Sequence, residues 1–195
     1  MAELYCTIQL HGPFRWFGSN GDVLFTQEVA GSPGIYIWAV PYESGFMTYY
    51  VGETGRSFRQ RMKEHVKEYF SGMYRVFDPG EFASGRKVLL WDGMWRAGEE
   101  HRLADFVSRL PELSKCIAQL LDSMRIFLGP LDVPTHTRRR IEAALAKHLY
   151  EQPGVVGQFQ DSDLVYRGRS ADQEPLLVRF CSGAQIMGLG EIIEA

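Results

Sequence analysis

Two β-branched and aromatic runs stand close together early in the chain, Gly34 to Val40 (GIYIWAV) and Met47 to Gly52 (MTYYVG). The Pro- and Gly-bearing segment Pro41 to Phe46 separates them, which predicts an antiparallel hairpin. Pairing Val40 with Phe46, Trp38 with Thr48 and Tyr36 with Tyr50 makes both tyrosines project from one face. Ser57 followed by Gln60 has the form of a capping box. Phe58, Met62, Val66, Tyr69 and Phe70 then recur at helical spacing, predicting a helix over about 58–70 with Phe58, Met62 and Val66 as its core stripe. Arg61 and His65, one turn apart, share a face at the edge of that stripe.

Beyond it lie an apolar segment, Val88 to Trp95, and an amphipathic helix over about 103–121 that carries Pro111. Met124 to Leu128 reads as a short strand stopped by Gly129-Pro130. Asp132 or Thr135 is positioned to cap a further helix with Ile141, Leu145 and Leu149 as its apolar line and Glu142 one position round from it. The first thirty residues predict one or two short strands between Gly turns, and Leu176 to Phe180 and Gln185 to Ile193 predict short terminal strands or loops.

The 195 residues fit one domain with insertions, and 45% hydrophobic with 23% charged residues is the balance of an ordinary globular protein. No run of eighteen apolar residues and no secretory leader pattern is present, so a cytoplasmic location without membrane partners is expected. Cys6, Cys116 and Cys181 form no CxxC pair, and the histidines form no HxxxH pair, which disfavours disulfide frameworks and zinc sites. A net charge of −3 does not advertise a nucleic-acid binder. The basic residues are nonetheless clustered: Arg56, Arg59, Arg61, Lys63 and Lys67 in one group and Arg138, Arg139 and Arg140 in another, with acidic residues concentrated elsewhere, as at Glu99, Glu100 and Asp161 to Asp163. Trp38, Trp91 and Trp95 sit in apolar runs and read as core.

The ordered set Gly34-Ile35-Tyr36, Tyr50-Val51-Gly52, Phe58-x-x-Arg61 with His65 one turn on, then a strand and a helix bearing Glu142, resembles the GIY-YIG nuclease family. The resemblance implies an α+β fold: a small three-stranded antiparallel sheet flanked by helices, with its core at about 32–70 plus 124–158. It further implies a helical insertion at about 71–123 and terminal β additions at 1–31 and 159–195. It implies a metal-dependent endonuclease acting on DNA. Tyr36 would be the general base or hold the attacking water, Tyr50 would position the phosphate, and Arg61 would pair with its oxygens. Glu142 would bind one Mg2+ (or Mn2+), and His65 resembles a histidine that contacts the phosphate or moves protons in restriction-type members. Arg56, Arg59, Lys63, Arg138 and Arg139 are then the expected nucleic-acid contacts.

Three departures stand out. Glu53 replaces the lysine that many members carry directly after the YIG triplet, so Arg61, His65, Arg56 or the metal must supply positive charge near Tyr36. One extra residue precedes the arginine, and Arg61 is chosen over Arg59 by its spacing from Phe58 and because Arg59 falls on the exposed side of the helix. The family's late asparagine is missing: Asn20 is far upstream, and Gln158 is the nearest amide. A scaffold that binds nucleic acid or a protein partner without cutting is therefore the alternative. Cutting both strands with one site per chain requires a dimer or sequential nicking.

Overall fold

The strand Gly34–Tyr42 (β2) is buried along nearly all its length, as its unbroken apolar run requires of a strand covered on both faces. Residues along it alternate between two cores. Tyr36, Trp38 and Val40 join one, while Ile35, Ile37 and Ala39 join the other. The structure, a computed structural model, describes residues 4–18, 21–161, 166, 168–169 and 173–195. Asn20 and Asp163 lie outside the described residues.

β2 pairs with Gly45–Thr54 (β3) across a tight turn at Glu43 and Ser44, where Glu43 adopts a positive φ of 48°. The register differs from the sequence expectation: Val40 opposes Met47, Trp38 opposes Tyr50 and Tyr36 opposes Gly52. The cause is a turn shorter than expected, followed by a bulge opposite Trp38 and Ala39 that leaves Tyr49 as the extra residue. Around the tyrosines the slip amounts to two residues, which preserves facing, so Tyr36 and Tyr50 still lie ring against ring with centroids 6.0 Å apart.

The expected small three-stranded antiparallel sheet is not what forms. Among the described residues the main sheet has seven strands, and it is mixed. Leu4–Phe14 (β1) is a single long strand. The others are Arg125–Pro130 (β6), Leu176–Ser182 (β7), Ile186–Met187 (β8) and Ile192–Glu194 (β9), in the order β8-β3-β2-β6-β1-β7-β9. The segments expected as additions are thus part of the sheet itself. β1 runs antiparallel to β6 and parallel to β7 over Leu4↔Leu176 to Leu10↔Ser182, and β8 joins the far edge parallel to β3. The physical reason is that a strand's own alternation specifies a buried face but not a partner, and these partners are distant in sequence.

Helix α1 spans Phe58–Phe70 and is capped by the Ser57 side chain, which accepts from the Gln60 N–H at 3.2 Å. Its buried side consists of Phe58, Met62, His65 and Tyr69, so His65 is a core residue rather than an edge one. The insertion holds Val76–Phe77 (β4), Pro79–Ala83 (α2), Leu89–Trp91 (β5) and Leu103–Ser123 (α3). α3 continues through Pro111 and packs Leu113, Ile117, Leu120 and Leu121 into the core that holds Tyr36. On the opposite face, Thr135–Tyr150 (α4) contributes Ile141, Leu145, Ala146 and Leu149 to the second core. Its N-cap residue is Pro134, with no side-chain cap, so neither Asp132 nor Thr135 caps it. Val155–Phe159 (α5) follows. Among the described residues no helix is long and apolar enough to cross a membrane.

Candidate active site

The end of β3 is where the two faces of the sheet come within reach of each other. Gly52 makes this possible: a Cβ there would lie 2.3 Å from both Cζ and Oη of Tyr36, so the phenol rests directly on bare backbone. Gly34, at φ 149°, has a similar need, since a Cβ would meet the Gly129 carbonyl at 2.2 Å. The glycines of both motif triplets are therefore places of close approach.

Tyr36 Oη lies 2.8 Å from Nε2 of His65, and the other ring nitrogen, Nδ1, lies 3.0 Å from Tyr74 Oη. The Arg61 charge acts on the Tyr36 and Tyr74 phenols, and the Tyr50 ring lies 6.0 Å from that of Tyr36. A neutral imidazole donates from one of these two ring nitrogens and accepts at the other. With its proton on Nδ1, His65 donates to Tyr74 and accepts from Tyr36 at Nε2. Burial first, and then the Arg61 charge, holds His65 well below the ordinary histidine value, so it is a neutral ring at neutral pH. Burial pushes the Tyr36 phenol up, and Arg61 opposes that push. Sequence reasoning did not single out Tyr74; it lies in the insertion, outside any motif.

The charge question raised by Glu53 has a geometric answer. Glu53 is held by Arg138 Nε at 3.0 Å and by Arg139 Nε at 3.5 Å, which offset part of its charge. The cation acting on Tyr36 is Arg61. Arg56 is exposed and grips Glu64 with two bonds of 2.6 and 2.7 Å, and Arg61 reaches the same carboxylate at 3.3 Å.

Glu142 approaches from α4. Its carboxylate is coupled electrostatically to Glu53, Arg139 and Arg61, and to both tyrosines of the cluster. Burial, and then the neighbouring Glu53 charge, raises its carboxyl to about 7. A partly desolvated carboxylate beside a second one is a hard-oxygen environment in which a divalent cation removes an electrostatic penalty. Mg2+ is commonly bound through one or two carboxylates, water and a substrate phosphate rather than by a full protein cage. Among the described residues no group of three or more His, Cys, Asp or Glu side chains could hold a metal ion, and Glu142 is the residue that would hold a cation bound in that sparser mode.

A stability consequence follows from Glu142. Its folded value lies above the ordinary unfolded one, so its contribution is complete at pH below the unfolded value and is lost as pH rises through about 7. Glu142→Gln stays neutral throughout. In chelator at about pH 8 it should be more stable than the parent by on the order of 2 kcal/mol, and the difference should shrink steadily toward about pH 5. Urea unfolding across that range measures it; a difference independent of pH would contradict the assignment.

The expected nucleic-acid contacts divide sharply. Arg56, Lys63 and Arg139 are exposed. Arg59 donates to the carbonyls of Phe25 and Gln27 at 3.1 and 2.9 Å, tying α1 to the two short 3-10 turns Leu24–Thr26 and Glu28–Gly31. Arg138 is buried at 5% exposure, with its donors spent on Glu53, Val133 and Thr135. Gln158 is exposed on α5, whereas Gln160 is buried and donates to the Thr48 carbonyl at 2.7 Å. Trp38 and Trp91 are core, as their apolar runs predict, but Trp95 is 42% exposed. It lines a cavity of about 210 Å³ that also includes Tyr50, Arg61 and His65.

The chain matches no family model, no curated protein and no solved structure.

Proposed function

We propose that the protein is a metal-dependent phosphodiesterase of the GIY-YIG type, cutting DNA at the cluster around Tyr36. One observation carries the reading: the Tyr36 hydroxyl lies 2.8 Å from His65 Nε2 with the Tyr50 ring 6.0 Å from its own, and the Glu142 carboxylate is coupled electrostatically to Tyr36, Tyr50 and Arg61. These residue types match what phosphodiester hydrolysis needs: a proton acceptor, donors for the phosphoryl oxygens and a carboxylate for a cation.

A phosphate entering the cavity takes up the donors of Arg61 and Tyr50, which line it. The Tyr36 oxygen is then left as acceptor for a water O–H. As that water adds to phosphorus, its proton passes to Tyr36 Oη and the Tyr36 proton passes to neutral His65 Nε2. Tyr74 holds the ring by its Nδ1 proton. Arg61 neutralises the growing charge on the phosphoryl oxygens with a planar, permanently charged donor. Glu142 would hold a divalent cation, which would supply Lewis-acid stabilisation of developing negative charge.

The test is incubation with supercoiled plasmid and branched DNA, with magnesium or manganese and then with chelator. Cleavage should require the cation and should fall by about two to three orders of magnitude in Arg61→Ala, a side chain at the rim whose removal spares the core. DNA binding with no cleavage under any of these conditions would instead support the scaffold that holds nucleic acid without cutting.

A further inference from the structure

The cavity beside the cluster is built mostly from rings. Trp38, Tyr49, Tyr69 and Trp95 form its walls, and Asp161 and Arg75 supply polar edges away from the hydrogen bond between Tyr36 and His65. The β3 bulge is what brings successive tyrosines, Tyr49 and Tyr50, to the same hollow, where a regular strand would send them to opposite faces. Asp161 is fixed at both backbone groups, its N–H to the Tyr49 carbonyl at 2.8 Å and its C=O to the Tyr150 hydroxyl. Trp95 leaves 42% of its surface in solvent at this cavity, with the Arg96 guanidinium over its ring at 4.9 Å. A volume of about 210 Å³ falls below the roughly 300 Å³ at which drug-sized pockets begin, so it suits one small ring system.

We propose that this cavity receives a single nucleobase lifted out of its stack, next to the phosphate engaged by Arg61 and Tyr50, so that the substrate is DNA with an unpaired or extruded nucleotide at the cut. The proposal rests on the nuclease reading and deepens it. Ring walls match the faces of any base, and Arg75, held by Asp92 at 2.9 Å, and Asp161 give the hollow a polar rim. The charge layout also orients a nucleotide. Arg61, the cation acting on Tyr36, attracts the phosphate to the cluster side, while the polar edge beyond it is an ionic group of Asp161 and Arg75, the latter paired with Asp92 at 2.9 Å. A base within a duplex cannot enter a hollow lined in this way without leaving its stack.

The experiment compares binding, in chelator so that nothing is cut, to three duplexes of equal length. One is fully paired, one carries a single bulged 2-aminopurine, and one carries an abasic bulge at the same position. The bulged base should bind on the order of tenfold more tightly than both others, with its fluorescence quenched by the rings. Trp95→Ala, at an exposed position, should bring its affinity down toward that of the abasic bulge. Equal affinity for the three, or a preference that survives Trp95→Ala unchanged, would overturn the cavity assignment while leaving the nuclease reading in place. Failure to bind any of the three would overturn the nuclease reading as well.

Discussion

Tyr36→Phe is expected to lower the cleavage rate by about two to four orders of magnitude while the protein stays folded. The ring sits on Gly52, and a phenyl group keeps that contact. What is lost is the hydroxyl that bonds His65 at 2.8 Å and on which the Arg61 charge acts. Leaving the buried Nε2 without a partner costs about 1–3 kcal/mol of stability, which a folded domain can bear. A merely structural tyrosine would show that stability loss with little change in rate at temperatures where the variant is fully folded. The acid limb of the pH–rate profile separates the roles further. His65 remains neutral well below the ordinary histidine range, whereas Glu142 takes up a proton at about 7. Activity at subsaturating magnesium should therefore fall as pH drops through the Glu142 value, and the fall should move to lower pH as magnesium is raised, because cation and proton compete for one carboxylate.

The parts of this molecule legible in its sequence are those whose information is local. α1 could be read because its cap, its apolar spacing and its length all agree within one segment, and the structure places it over Phe58–Phe70. The common face of Tyr36 and Tyr50 was readable for a similar reason: parity survives a register slip of two residues even though the turn and the bulge were not foreseen. The seven-stranded sheet was not readable. Whether β1 lies between β6 and β7, or at an edge, depends on partners more than a hundred residues away, and the alternation of Ile8 and Leu10 is satisfied by either. The reading of arginines as phosphate contacts failed to anticipate Arg59 and Arg138 for a related reason. A guanidinium looks the same in sequence whether it faces solvent or completes backbone carbonyls inside the fold. Tyr74 carried no signal and the apolar run around Trp95 pointed to the core, because their neighbours in space come from α1, β2 and β3 rather than from their own segment.

Arg138 offers the sharpest separation between a structural and a nucleic-acid role. Its side chain is 6% exposed and bonds Glu53 at 3.0 Å, Thr135 at 3.1 Å and the Val133 carbonyl, and its guanidinium occupies the space where a Cβ on Gly55 would lie, 2.5 Å away. Arg138→Ala removes the buried partner of Glu53 and leaves Arg139, which is 53% exposed and 3.5 Å away, as its remaining cation. Breaking a buried pair from one side costs about 3–5 kcal/mol, because the other charge stays behind without compensation. Arg139→Ala removes a solvent-exposed pair, which is worth at most about 1 kcal/mol. Urea unfolding of the two variants should therefore give losses that differ several-fold. A second consequence links this pair to the site: with Glu53 less neutralised, its charge bears more heavily on Glu142 and raises that carboxyl further, so protons should compete with magnesium at higher pH in Arg138→Ala than in the parent. Were Arg138 a phosphate contact instead, its loss would spare stability, weaken DNA binding uniformly and flatten the salt dependence by about one charge. Similar unfolding losses for the two arginine variants would refute the buried-pair account.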